Sequence, residues 1–186
     1  MGIQTATTPI NLSFDKIIEV APSDAQRYRD LRLRGLREHP EAFGESAAGY
    51  EAKTLEVISG HIEAQARLGG FILAAVSKTG DMIGTVGLAV NAPGKSGHRS
   101  FLWGMYVLPE AREQKVGGKL IQELLDRAEG VAGLEQIHLS VVTSNAPAIK
   151  LYEGMGFVRY GTDPRALKVD GTYFDEYLMV RELRRA

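Results

Sequence analysis

The sequence contains no cysteine among its 186 residues. This excludes a disulfide scaffold, a thiolate nucleophile and a zinc site with cysteine ligands. The four histidines, His39, His61, His98 and His138, lie far apart and form no clustered metal-ligand spacing such as HExxH. We therefore expect neither thiol chemistry nor a resident metal ion.

Neither sign of charge dominates the chain, which has 22 basic and 23 acidic residues and a net charge of -1. A strong overall positive field is typical of proteins that bind nucleic acid, so we expect no nucleic-acid partner. Any anion-binding site must be local. No apolar stretch approaches the roughly 18 residues that a membrane-spanning helix needs, so we expect no membrane contact.

The first residues show neither the basic start and apolar run of a signal peptide nor a myristoylation pattern. The composition, 44% hydrophobic and 24% charged, is that of an ordinary globular protein. We therefore expect a cytoplasmic protein with a flexible segment over residues 1–13 and a single domain over residues 14–186.

The spacing of apolar residues predicts the element order β-α-α-β-β-β-α-β-α-β-β, a mixed α/β fold around one sheet, in which the last β is the hairpin of the tail. Predicted strands cover 16–20, 71–76, 82–90, 101–108, 137–141, 157–160, 166–169 and 172–183, and predicted helices cover 24–38, 54–68, 116–129 and 146–154. We interpret 40–49 and 91–100 as loops. The strand over 101–108 is expected to be buried on both faces, and Gly104 in its middle indicates a bulge or a close backbone approach.

The first predicted helix carries five arginines, Arg27, Arg29, Arg32, Arg34 and Arg37. Their charge is compatible with holding an acidic ligand. It is also compatible with a solvated face balanced by Asp24, Asp30 and Glu38, and we favour this second interpretation.

The segment from Met105 to Leu120 is predicted to form the end of a strand, a tight turn and the start of a helix. A helix start presents unpaired backbone N–H groups and the positive end of the dipole, and Gly117 and Gly118 let an anion approach closely. These features are typical of a pyrophosphate cradle. Glycines at this position can also simply ease the turn.

A second segment, from Asn145 to Phe157, opens a short helix. Asn145 and Tyr152 are seven residues apart, which is two turns and about 10.5 Å of rise, so both lie along one helix face. That pair could span an extended ligand. Alternatively, Asn145 is only an N-cap and Tyr152 only a core aromatic residue.

Together and in this order, the two segments resemble the GNAT family of N-acetyltransferases. The resemblance extends over about residues 71–180 and implies a mostly antiparallel central sheet flanked by helices. It implies transfer of an acetyl group from acetyl-CoA directly to a primary amine, without a metal. It also implies that backbone groups of Met105 and Val107, with Tyr106 between them, bind the pantetheine arm and polarise the thioester carbonyl.

The same resemblance implies roles for the turn and for the second segment. Asn145 would bind the arm of the cofactor, and the hydroxyl of Tyr152 would protonate the departing thiolate as a catalytic acid. The pyrophosphate would be wrapped by Arg112, Glu113, Gln114, Lys115, Val116, Gly117 and Gly118.

The sequence departs from the family pattern in two ways. Lys115 occupies the position of the first glycine of the cradle, where its Cβ costs roughly 1 kcal/mol if φ is positive. The strand over 101–108 contains no carboxylate, although family members often place a catalytic glutamate there. The general base is therefore unassigned, and the candidates are Glu45, His98, Asp175 and Glu176.

We expect the acceptor to be a small-molecule amine such as a polyamine, an amino acid or a drug. The alternatives are a protein N-terminus or lysine as acceptor, and a CoA-binding module without catalytic activity. The resemblance is compatible with a homodimer.

Overall fold

The computed structural model describes residues 12–183. This part of the chain forms seven strands and five α-helices. In chain order they are β1 (Phe14–Glu19), α1 (Ala25–Glu38), α2 (Ala47–Glu51), α3 (Leu55–Arg67), β2 (Phe71–Ser77), β3 (Met82–Val90), β4 (Arg99–Val107), α4 (Val116–Glu129), β5 (Gln136–Val142), α5 (Ala146–Gly154), β6 (Val158–Val169) and β7 (Thr172–Glu182). The flexible segment predicted over 1–13 lies outside the described residues except for Leu12 and Ser13.

The strands form one sheet in the order β1-β2-β3-β4-β5-β7-β6. Every neighbouring pair is antiparallel except β4 and β5, which are parallel. The predicted mixed α/β fold with a mostly antiparallel sheet flanked by helices is therefore confirmed. No helix within residues 12–183 is long and apolar enough to cross a membrane.

Local sequence signals account for most element boundaries. The hydroxyl of Thr54 accepts a hydrogen bond from the Val57 N–H at 3.4 Å and caps the start of α3. Strand β2 is buried along its whole length, as its continuous apolar run predicts. Helix α4 buries one stripe against the sheet, made of Val116, Leu120, Ile121, Leu124, Leu125 and Ala128.

The structure corrects three predictions about elements. The predicted loop over 40–49 contains the start of α2, capped by Ser46. The separate strands predicted at 157–160 and 166–169 are one strand, β6, because its pairing with β7 continues past an irregularity after Asp163. Strand β4 is not buried on both faces, since Phe101 is 41% exposed. The Phe101 side chain borders an open cavity.

Candidate functional site

The parallel pair β4 and β5 separates soon after it begins. The two strands pair only from Arg99 to Phe101 on β4 and from Gln136 to His138 on β5. Beyond these residues β4 stays on β3 while β5 stays on β7. Because parallel strands end at the same edge of a sheet, the helices that follow them, α4 and α5, both begin beside the resulting gap. A crevice outside the carboxyl ends of parallel strands is a common place for a ligand.

A bulge in β4 lies beside this gap. Gly87 pairs with Trp103 and Thr85 pairs with Tyr106, so β4 has one extra residue opposite β3. Gly104 has φ +66°, a conformation that glycine adopts without a Cβ penalty. The bulge predicted at this glycine is confirmed. Its extra residue puts Trp103 and Tyr106 on the same face of the sheet.

The backbone after the bulge presents hydrogen-bonding groups to the gap. The N–H of Leu108 donates to the carbonyl of Ile83 on the β3 side at 2.9 Å. Successive N–H groups of a strand alternate in direction, so those of Met105 and Val107 are on the β5 side, where pairing has ended. The Tyr106 side chain points away from the gap, toward α1, and its hydroxyl donates to Glu38 at 2.6 Å.

The turn after β4 leads into α4 through a left-handed residue. Lys115 has φ +56° and ψ +27°, and no side chain from residues 12–183 caps the helix that follows it. The first helical hydrogen bond runs from the Lys119 N–H to the Lys115 carbonyl at 3.2 Å. The N–H groups of Val116, Gly117 and Gly118 therefore have no helical acceptor. With the positive end of the helix dipole, they form a concave set of donors suited to an anion.

The side chains of the preceding turn are mostly engaged elsewhere. Arg112 donates to the Val107 carbonyl at 3.3 Å and contacts the His39 ring at 3.1 Å. Gln114 accepts a hydrogen bond from the Phe14 N–H at 2.7 Å and donates to the Leu12 carbonyl at 3.1 Å. The Gln114 side chain therefore holds the start of β1, while Glu113 is exposed.

The two glycines of α4 also have a packing reason. A Cβ on Gly117 would lie 3.1 Å from the Met105 Cε atom and 3.2 Å from the Leu151 Cδ2 atom. A Cβ on Gly118 would lie 3.4 Å from the Met155 Cε atom. The start of α4 is thus pressed against β4 and α5, which brings the anion donors close to both strand ends.

Helix α5 carries the other two residues selected from the sequence. The Asn145 Oδ1 atom accepts a hydrogen bond from the Ala148 N–H at 3.2 Å, so Asn145 is an N-cap. Tyr152 is 6% exposed and its ring packs edge-on against Phe157, with centroids 5.9 Å apart. Burial raises the pKa of the Tyr152 hydroxyl above its ordinary value of about 10, so the hydroxyl is protonated well beyond neutral pH.

A cavity of about 460 Å³ lies on the α1 side of β4. Its lining comes from α1, from the segment that follows it, from α3 and from β3 and β4, namely Tyr28, Arg32, Glu45, Tyr50, Lys53, Val57, Ile58, His61, Gln65, Ala89, Phe101 and Trp103. Glu45 and Lys53 form an ion pair. His61 packs edge-on against Trp103 with centroids 5.5 Å apart, and burial lowers its pKa, with a further lowering by Lys53.

Arg32 differs from the other arginines of α1. Those four bind carboxylates or a carbonyl at the surface, with Arg27 on Asp24, Arg34 on Glu38 and Glu110, Arg37 on Glu51, and Arg29 on the Glu51 carbonyl. The solvated-face interpretation therefore holds for four of the five. Arg32 is only 6% exposed and lines the cavity, and its Nη1 atom has no hydrogen-bond partner within residues 12–183. Its guanidinium lies over the Phe43 ring at 4.3 Å.

Sequence reasoning missed Arg32 as a cavity residue, although a signal for it exists. Tyr28, Arg32 and Leu36 follow one another at four-residue spacing and are all buried. A charged residue on the apolar stripe of a helix is expected to face the core, and charged residues are rarely buried unless they bind a partner. Tyr50 and His61 carry no comparable signal, because only the folding of α2 and α3 over the sheet brings them to the cavity.

The four candidate bases lie in different places. Glu45 lines the cavity. The carbonyl of His98 accepts hydrogen bonds from the N–H groups of Glu135 and Gln136, at the end of β4 opposite to the bulge. The Asp175 carboxylate accepts from the Arg165 N–H at 2.8 Å, and its neighbour Glu176 pairs with Val142 and Asp163 in the sheet. Only Glu45 of these four is brought to the cavity.

Comparisons with known proteins agree with this architecture. One relative, the L-amino acid N-acetyltransferase AaaT of Escherichia coli, is 29% identical over 102 residues, which are 55% of this chain and 62% of that protein. The spermidine N(1)-acetyltransferase of Vibrio cholerae is 32% identical over 78 residues, 42% of this chain and 45% of that protein. The chain spans less than two thirds of the length of the curated relatives it matches.

Solved structures share the fold. An acetyltransferase of the GNAT family from Streptococcus pneumoniae superposes with a TM-score of 0.81 at 23% identity, covering 91% of this chain and 99% of that one. The acetyltransferase yncA of Salmonella typhimurium, solved with its cofactor acetyl-CoA, gives 0.78 at 19% identity, covering 91% and 94%. The model of the acetyltransferase (GNAT) family matches residues 33–157, which is more than half of the chain and includes β4, the turn and α4. This chain therefore belongs to the acetyltransferase (GNAT) family.

Proposed function

We propose that the chain transfers an acetyl group from acetyl-CoA directly to a primary amine of a small molecule. The observation that carries the proposal is the arrangement around β4. A set of anion donors at the start of α4 lies on one face of this strand, the aromatic cavity lies on the other, and the bulge at Gly104 lies beside both. Two ligands bound on opposite faces would meet at the bulge.

The residues present fit acetyl-CoA. When bound, it supplies an acetyl group already activated as a thioester. The N–H groups of Val116, Gly117 and Gly118 would hold its pyrophosphate. The N–H groups of Met105 and Val107 would donate hydrogen bonds to the thioester oxygen and stabilise the negative charge that develops there.

Two side chains complete the cofactor side of the site. The hydroxyl of Tyr152 would hold the proton that the departing thiolate takes, and the absence of cysteine fits direct attack by the amine. The side-chain amide nitrogen of Asn145 would donate a hydrogen bond to the arm of the cofactor, since the Oδ1 atom already caps α5. The Lys115 ammonium would add a charge beside the pyrophosphate.

The amine must lose a proton before or during attack. Glu45 and His61 are the acceptors that the cavity offers. The lowered pKa of His61 favours its neutral form near pH 7, which can take a proton, whereas Glu45 is tied to Lys53. His98, Asp175 and Glu176 stay weaker candidates because none of them lines the cavity.

The size of the cavity supports a small acceptor. Its volume of about 460 Å³ suits a small molecule. The names of relatives point to small-molecule amines, an L-amino acid in one and spermidine in another. A further relative, RimI of Mycobacterium tuberculosis, is named as an N-alpha-acetyltransferase, so a protein N-terminus is the alternative acceptor.

The test is release of free thiol from acetyl-CoA in the presence of a panel of amines. Amine-dependent release supports the proposal, and release only with peptides or proteins assigns the alternative acceptor. CoA that raises the melting temperature without any turnover would favour a CoA-binding module without catalytic activity.

A further inference from the structure

Arg32 is a buried cation without a counterion. It is 6% exposed, forms no ion pair within residues 12–183, and leaves its Nη1 atom without an acceptor there. A buried charge is costly unless it is paired and hydrogen-bonded. Because Arg32 lines the cavity, an anionic group of a ligand in that cavity would supply the missing partner.

The surroundings of Arg32 favour a carboxylate. A guanidinium presents a planar fork of donors that matches a carboxylate in geometry. The hydroxyl of Tyr50 is also buried and unpartnered within the described part of the chain, and it lines the same cavity. The two side chains thus offer several donors to one anion.

The net charge of the lining argues against a polyamine. Arg32 and Lys53 are cationic, and Glu45 is the one carboxylate in the lining that residues 12–183 provide, so one positive charge remains when His61 is neutral. Glu45 is already paired with Lys53. A polycation would need several unpaired carboxylates, which this lining does not have.

The position of Arg32 limits the distance between the anion and the reacting amine. A Cβ on Gly104 would lie 3.8 Å from the Arg32 Nη1 atom, so the guanidinium is beside the bulge. Under the proposed function the acetyl group is transferred at this bulge. The carboxylate and the amine of the acceptor must therefore be separated by few bonds, as they are in an α-amino acid.

We propose that the acceptor is a free α-amino acid with an apolar or aromatic side chain, and that Arg32 and Tyr50 bind its carboxylate. The aromatic residues Tyr28, Phe101 and Trp103 of the lining would surround the side chain. This inference rests on the proposed function. It distinguishes a free amino acid from a protein N-terminus as the acceptor. The carbonyl group of an N-terminal residue belongs to a neutral peptide bond and offers Arg32 no carboxylate.

The experiment compares matched amines in the thiol-release assay. L-phenylalanine is paired with phenethylamine and L-phenylalaninamide, and L-leucine with isoamylamine, while spermidine serves as the polycation. We expect kcat/KM to be roughly 10- to 100-fold higher for the amino acids, the range for a hydrogen bond to a charged group. In Arg32→Gln the KM for L-phenylalanine should rise by the same factor, and the preference for L-phenylalanine over phenethylamine should be lost.

Controls separate this role from a structural one. Arg37→Gln removes a surface arginine of the same helix, ion-paired with Glu51 at 2.8 Å, and should keep the preference for amino acids. Arg32→Lys keeps the positive charge but lacks the planar set of guanidinium donors, so it should retain part of the affinity for L-phenylalanine that Arg32→Gln loses. All three variants should keep the rise in melting temperature that CoA produces, which shows that they are folded.

The inference is overturned if amines without a carboxylate are acetylated as efficiently as the amino acids, or if Arg32→Gln lowers both activities equally. In either case the proposed function stands. If no small amine is acetylated, the proposed function fails instead. The anion site is then tested by melting temperature, which N-acetyl-L-phenylalanine should raise in the wild type and not in Arg32→Gln; no rise in the wild type overturns the inference.

Discussion

Replacement of Tyr152 by phenylalanine tests the proposed catalytic acid. The ring is buried and packs edge-on against Phe157. Tyr152→Phe keeps the ring, so the free energy of unfolding should change by less than about 1 kcal/mol. If the hydroxyl protonates the departing thiolate, kcat should fall by roughly 10²-fold or more, since general-acid assistance contributes about 10² to 10⁴.

The measurements are kcat at saturating acetyl-CoA and amine, the midpoint of urea unfolding, and the melting temperature with and without CoA. Tyr173→Phe is the matched control, because Tyr173 is exposed on β7 and lies outside the lining of the cavity. Burial raises the pKa of Tyr152 above its ordinary value of about 10, so its protonated form should persist through about pH 9. Loss of a proton from Tyr152 should therefore cause no decline in rate between neutral pH and that value.

One result would refute this reasoning. Unchanged kcat in Tyr152→Phe, measured where the chemical step limits the rate, would mean that Tyr152 is only a packed aromatic residue. A parallel loss of stability and activity would point to the same conclusion, because the effect would then follow from packing against Phe157 rather than from proton transfer.

Four further changes test the cradle, the bulge and the sheet. Lys115→Gly should stabilise the fold by roughly 1 kcal/mol in urea unfolding, because it removes a Cβ at positive φ, while weakening CoA binding through loss of the ammonium. In the wild type, CoA at a hundredfold excess over Kd should stabilise the fold by about 2.7 kcal/mol and so raise the melting temperature. Gly117→Asp should abolish this rise, because it places a carboxylate among the N–H groups that would hold the pyrophosphate. A rise that persists in the variant would contradict the cradle. Gly87→Ala places a Cβ 2.5 Å from the Trp103 ring and should lower stability by roughly 1–3 kcal/mol and disturb the cavity. Burial and Arg99 lower the pKa of His138 in the folded chain. As pH falls, the unfolded chain therefore takes up a proton at His138 at a higher pH than the folded chain does, and the free energy of unfolding should decrease below about pH 6.5. His138→Asn should reduce that decrease in urea unfolding measured from pH 7 to 5.

The elements around the cradle could be predicted because their signals are local. The cap at Asn145, the apolar stripe of α4 and the glycine in β4 each act over a few residues of chain. The sequence predicts a steric cost for the Cβ of Lys115 if its φ is positive, and φ is positive in the structure. Short-range sterics and hydrogen bonding decide such features, so a pattern read along the chain is enough to find them.

The acceptor side could not be predicted in the same way. Arg32, Tyr50, His61 and Trp103 come from four different elements, and none of them lies in a motif. The five arginines of α1 look alike in sequence, yet four are paired at the surface and one is enclosed. Enclosure depends on which helix covers which strand, which is a property of packing between distant segments.

The sequence by itself determined the fold class, the family resemblance and the order of strand, turn and helix that makes the anion donors, because periodicity, caps and glycines encode these locally. Only the tertiary structure decided where β4 and β5 part, which arginine is buried and what the cavity contains. These depend on strand pairing and helix packing between segments far apart in the chain, and no short window of sequence carries that information.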